Sequence, residues 1–241
     1  MNRFDEKHAM PITSQEEKEV HRVFELLCDY QQKSKIKQEI EDIKNWINAN
    51  RNKSHLEHAE ENIQAGLNRI DELTQHLHEL ENKSDKKISC ADVMEMLKKL
   101  DAKNTKKEVE EMIWEVDENL DGHLDWVEFR LMFNRNITDR TGLEPSRMYN
   151  LTQFLIYDTN NNGMVSVDET MNLLYARYGR STMEQKLKEL FGENMQEFGR
   201  QGGEIPYSRY IKAVERVQLN MFLETNAGRK AKDLHRSDSR K

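Results

Sequence analysis

The stretch Asp117–Glu128, DENLDGHLDWVE, carries an oxygen donor at nearly every position where a hard divalent cation needs one. Asp117, Asn119 and Asp121 stand at loop positions 1, 3 and 5, Gly122 allows a sharp turn at 6, and His123 offers its backbone carbonyl at 7. Asp125 and Glu128 complete the shell at 9 and 12. The spacing follows from the ion: Ca²⁺ takes six to eight oxygens, and a 12-residue loop encloses it if the last side chain supplies two at once. Leu124, at position 8, is expected to point away from the ion into a core. The pattern recurs over 158–169 as DTNNNGMVSVDE, with Asp158, Asn160, Asn162, Gly163, the Met164 carbonyl, Ser166 and Glu169, and with Val165 as the inward residue. A second copy argues against two chance acidic surface turns.

These two loops resemble those of the EF-hand family, and their arrangement resembles its calmodulin-like members. The resemblance implies helix–loop–helix units that pack in pairs, because the inward residue of each loop needs a facing loop. In the family's frame, apolar residues flank each loop at fixed distances; Val109, Ile113 and Val116 precede loop 117, and Phe129, Met132 and Phe133 follow it. The same frame fits Leu73, Leu77 and Leu80 before ENKSDKKISCAD (81–92), and Val93, Met96, Leu97 and Leu100 after it. That segment keeps Ile88 at position 8 but has Lys83 at 3 and Lys86 in place of the turn glycine, so it is expected to bind no Ca²⁺. Loop 158 has a similar companion. Ser181 with Glu184 opens a helix whose Phe191, Met195 and Phe198 have the entering spacing, and Tyr210, Ala213, Val214 and Val217 fit the exit. The loop between them, about 198–209, counts one residue short and has Arg200 and Gly202-Gly203 in place of acids, so it too should stay silent.

The fold class implied is all-α: two EF-hand pairs, over 73–135 and 148–218, with short loop-to-loop β pairing, preceded by an N-terminal helical hairpin or short coiled coil. One Ca²⁺ per pair is expected, two per chain, with Mg²⁺ as a second candidate at 117–128. Loop 117 offers four carboxylates and loop 158 only Asp158 and Glu169, so loop 117 is expected to fill first.

Composition agrees. Charged residues make up 34% and hydrophobic ones 36%, with 3 Pro and 10 Gly, which suits a helical protein with solvated faces. No stretch has the length and apolarity of a membrane span, and the N-terminus has no apolar core of a secretory signal. The expected address is therefore the cytosol, with cytoskeleton or cilium as particular settings. Cys28 and Cys90 lie in separate helical patterns and read as reduced thiols. A net charge of −7 argues against nucleic acid as the main partner.

Residues 1–12 read as a polar arm. Thr13 with Glu16, or Ser14 with Glu17, marks a helix start. Val20, Val23, Phe24, Leu27 and Tyr30 form one stripe and Ile36, Ile40, Ile43 and Ile47 another, with a phase shift near Ser34 that marks a kink or a second helix. Residues 48–54 read as a turn, and Ser54 with Glu57 as the next cap. Leu56, Ile63, Ile70 and Leu77, with Ala59, Gly66, Leu73 and Leu80, then make a heptad seam. It packs either on the preceding helix, as a hairpin, or on a partner's helix. His76 and His78 are two apart and point to different helix faces, and His55 with His58 lack other ligands, so all four read as solvated histidines rather than a metal site. Residues 13–72 are thus read as an extension. Residues 136–147, with Gly142 and Pro145, form a jointed linker, and 219–241 a tail with six Lys or Arg against two Asp from Gly228 onward.

The functional expectation is a Ca²⁺-responsive binding or regulatory subunit; Met96, Met112, Met132, Met171 and Met195 read either as core filler or, as the resemblance implies, as a groove that an opened lobe offers to a protein partner such as an amphipathic helix. The alternative is a structural subunit built into a cytoskeletal or ciliary assembly by its N-terminal helices. No phosphate loop, nucleophile elbow or zinc spacing points to an enzyme.

Overall fold

A computed structural model describes residues 12–51, 59–139 and 141–224. The first eleven residues of the expected arm, the Ser54 cap, Leu56, His55, His58 and the end of the basic tail lie outside them. The described residues form, in order, α1 (Ser14–Leu27), α2 (Tyr30–Asn50), α3 (Ala59–Glu81), β1 (Ile88–Ser89), α4 (Cys90–Lys99), α5 (Lys106–Trp114), β2 (His123–Leu124) and α6 (Trp126–Thr138). There follow α7 (Arg147–Tyr157), β3 (Met164–Ser166), α8 (Val167–Phe191), α9 (Met195–Arg200), β4 (Glu204–Pro206) and α10 (Tyr207–Glu224).

The helix starts obey local chemistry. Thr13/Glu16, Ser89/Asp92, Thr105/Glu108, Asp125/Glu128 and Ser166/Glu169 are all reciprocal capping boxes, each worth on the order of 1 kcal/mol. The pairs at 89/92, 125/128 and 166/169 occupy loop positions 9 and 12, so the spacing that suits a cation also starts the exit helix. The β contacts are minimal. Ile88 faces Leu124 and Val165 faces Ile205 in two antiparallel ladders, and all four side chains are fully buried.

The two lobes share one core. α7 carries it: from Met148 to Tyr157 nearly every residue is buried, as expected of a helix that is covered all round. Against it, and against α4 and α6, lies α1, whose Val20, Val23, Phe24 and Leu27 are at most 3% exposed. The N-terminal stripe is therefore part of the lobes' core rather than an extension beside them. Phe24 meets Trp126 and Phe129 at ring separations of 5.5 and 5.6 Å. Two ion pairs tie the N-terminal turn of α1 to different lobes: Glu17 to Arg130 of α6 at 2.6 Å, and Glu16 to Arg177 of α8 at 2.7 Å.

Several expectations change. The break in the N-terminal helices falls at Asp29, which adopts left-handed φ 53°, not near Ser34. α2 runs on through Asn48 to Asn50, so the turn begins later than expected. α2 and α3 do form a hairpin: Gly66 lets the helices approach, since a Cβ there would sit 3.2 Å from Ile47. α8 is broken at Gly179 (φ 70°, ψ 177°) into two helical segments, so a second helix does begin beside Ser181, but it ends at Gly192 (φ 94°), which divides Phe191 from Met195 and Phe198. The linker is pinned rather than free: Asn136 donates to the Pro145 carbonyl and Ser146 to Gln218 of α10. α10 itself extends to Glu224, past the expected start of the tail. Met96, Met112, Met132 and Met195 are buried core residues, whereas Met171 is 38% exposed and outside the core.

Candidate metal centres

Loop 117 is closed from within. Asp117 accepts from the amides of Asp121 and Gly122, Asn119 from Asp121, and Asp121 from His123. Leu120 and Gly122 take positive φ (60° and 80°), which turns these amides inward; the glycine does so without strain. Glu128, 6% exposed, reaches back to the amides of Glu118, Asn119 and Asp125. Loop 158 repeats the scheme residue for residue. Asp158 accepts from Asn162 and Gly163, Asn160 from Asn162, and Asn162 from Met164. Glu169 holds the amide and hydroxyl of Ser166 with one oxygen and Thr159 and Asn160 with the other. Burial raises the Asp158 carboxyl above its ordinary range, against the pull of the Gly163 and Asn162 amides.

Every ligand candidate from the sequence therefore lies in the loop expected of it, in the order 1, 3, 5, 7, 9, 12. Among the described residues no three acidic, histidine or cysteine side chains are already gathered into an ion-sized cluster. Their oxygens are shared out among backbone amides, neighbouring side chains and Lys87. The donor set, all oxygen and partly anionic around a positive-φ glycine, suits a hard cation such as Ca²⁺.

The companion loops look different. In 81–92 the position-12 residue, Asp92, is 5% exposed and accepts from the Ser89 amide, the Ser89 hydroxyl and the Gln31 amide of α2. It thereby caps a helix whose own N-cap, Asp29, makes no side-chain cap. Lys83 and Lys86 turn to Asp29 and Glu25 beside the α1–α2 joint. In the other loop Gly202 has φ 69°, and a Cβ on Gly203 would meet the Phe198 ring at 2.6 Å, so this glycine pair serves a tight turn under an aromatic ring.

Sequence reading missed two residues that cross between loops. Lys87 Nζ donates to Asp121 at 2.6 Å, and this bond holds the Asp121 carboxyl below its ordinary value. Glu204 accepts from the Asn162 side-chain amide at 3.5 Å. The signal was present in the ladder register, which puts each beside its facing loop.

Two helix–loop–helix units joined back to back by a short antiparallel ladder, one loop rich in oxygen donors, are the arrangement of an EF-hand pair. Residues 70–133, from within α3 to within α6 and including loops 81–92 and 117–128, match the family model of an EF-hand domain pair. These residues are thus similar to an EF-hand pair, which supports calcium binding within them. Comparison with curated proteins finds no match. None of the helices among the described residues is long and apolar enough to cross a membrane.

Proposed function

We propose that this chain is a non-enzymatic Ca²⁺-binding regulatory subunit in which the two loops each hold one ion. Asp117, Asn119, Asp121, Asp125, Glu128 and the His123 carbonyl form the first site, where Mg²⁺ competes. Asp158, Asn160, Asn162, Ser166, Glu169 and the Met164 carbonyl form the second. One observation carries the regulatory reading: α1 rests on the elements that flank both loops. Trp126 and Phe129, on either side of Glu128, hold Phe24, while Arg22 donates to the Leu155 and Ile156 carbonyls just before Asp158. A shift on ion binding of α6, which leaves loop 117, or of α7, which enters loop 158, is therefore felt by α1, and through α2 by the hairpin. The partner is a protein, an amphipathic helix being the simplest fit to such a lobe.

The second reading, a structural subunit in a cytoskeletal or ciliary assembly, is favoured by the hairpin. Trp46 and Leu67 are 45% and 44% exposed there, next to Ile43 and Gly66. A hydrophobic dye and tryptophan emission distinguish the two. In a chain keeping only Trp126 (Trp46→Phe, Trp114→Phe), the regulatory reading expects Ca²⁺ to change both emission and dye binding in step with ion uptake. Ion uptake with neither signal moving would favour the structural subunit.

A further inference from the structure

The two crossing contacts fall at equivalent places. Ser166, at position 9 of loop 158, pairs with Glu204. In the other lobe Ile88 pairs with Leu124, so one step along the antiparallel ladder Lys87 lies opposite Asp125, again at position 9. Each residue then reaches the side chain at position 5, Asp121 in one lobe and Asn162 in the other. The same seat is thus filled by a cation facing the carboxylate-rich loop and by an anion facing the carboxylate-poor one.

We propose that the silent hands set the charge of the sites they face, Lys87 reducing the negative charge at loop 117 and Glu204 increasing it at loop 158. Counting the metal-directed side chains and the facing residue, loop 117 falls from four negative charges to three and loop 158 rises from two to three. The sites are equalised from outside their own loops. This differs from the order read from the loops alone, in which loop 117 fills well before loop 158.

The contacts also orient the ligands. Lys87 holds Oδ2 of Asp121 while Oδ1 accepts from the His123 amide, so both oxygens of this ligand have a competitor. Glu204 takes the Nδ2 end of Asn162 while Oδ1 accepts from Met164, which turns the amide so that its oxygen faces into the loop. Glu204 is half-buried, so its charge is less screened than that of a surface carboxylate. A unit charge about one residue's breadth from a divalent ion changes its affinity roughly three- to tenfold at physiological salt.

The inference rests on the proposed Ca²⁺ sites, and the test separates the two. Calorimetric Ca²⁺ titration of the full chain is run in a Glu169→Gln background to isolate loop 117, and in Glu128→Gln to isolate loop 158. In the first, Lys87→Met is expected to tighten binding roughly three- to tenfold and Lys87→Arg to leave it unchanged. In the second, Glu204→Gln is expected to weaken binding by a similar factor. Both shifts should shrink as salt rises. Should a variant fold poorly, the charge-exchanged chain, Lys87→Glu with Glu204→Lys, is used instead and should spread the two affinities apart. If the parent chain takes up two ions and neither loop responds to its facing residue, the charge-setting role is overturned alone. If the parent takes up none, the metal sites fall and this inference with them.

Discussion

Three loops end in an acid at position 12, and the acids differ in what they hold. Glu128 and Glu169 reach back over their own loops, while Asp92 serves α2. Glu128→Gln and Glu169→Gln should each abolish the high-affinity phase of one site and leave the other, as read by calorimetry. Asp92→Ala, by contrast, should leave ion uptake intact and lower stability by about 1–3 kcal/mol in urea unfolding, since it strands the Gln31 and Ser89 amides together. Cys28 gives a pH prediction. It is fully buried at the end of α1, and burial, helped by Glu25, pushes its thiol up to about 12. The unfolded chain loses this proton near the ordinary thiol value of 9.0 and the folded chain does not. The unfolded state then binds fewer protons, so stability should fall as pH rises through that window. Alkaline melts of Cys28→Ala against the parent should show a shallower decline in the variant. The candidate ligands stand out in the sequence because a cation imposes its spacing on one short segment. Asp92, Lys87 and Glu204 do not, since their partners are remote in sequence or lie across a ladder.

At the scale of elements, periodicity located α1, α2 and α3, and the Thr13/Glu16 box placed the start of α1. It did not show where the apolar stripes go. The stripe of α1 looks the same on paper whether it faces a hairpin, a partner or the lobes. The breaks were also harder to read, because Asp29 takes a left-handed conformation that its residue type only tolerates, and Gly192 interrupts a pattern whose spacing otherwise continues. Asp29→Gly should therefore hold or raise stability by up to about 1 kcal/mol, whereas Asp29→Ala should lower it. Chemical denaturation of the pair decides whether that backbone bend is under strain. Breaking the Glu16–Arg177 pair is the harsher change: Glu16→Ala leaves a guanidinium with a side-chain exposure of 6% short of its carboxylate and should cost about 3–5 kcal/mol.

Over the whole molecule, the buried residues of α1, both lobes and the ladders form one continuous cluster. The lobes touch directly as well. Lys99 donates to the Asn161 carbonyl inside loop 158, and Leu100 packs where a Gly163 side chain would begin. Calorimetric melting should accordingly show one transition with matching calorimetric and van't Hoff enthalpies, and two separated transitions would contradict a shared core.

The position of α1 in that core also governs the order in which the chain can mature. Glu16 waits for a partner 161 residues further along, and Arg22 for carbonyls more than 130 residues away. α1 thus leaves the ribosome before its seat exists, and its apolar stripe stays uncovered until α6, α7 and α8 have been made. Docking of α1 then closes the fold rather than nucleating it. Val23→Ala should speed unfolding while hardly slowing refolding, a signature of contacts absent from the transition state. A nascent chain stalled before α6 would carry this stripe as an open invitation to chaperones.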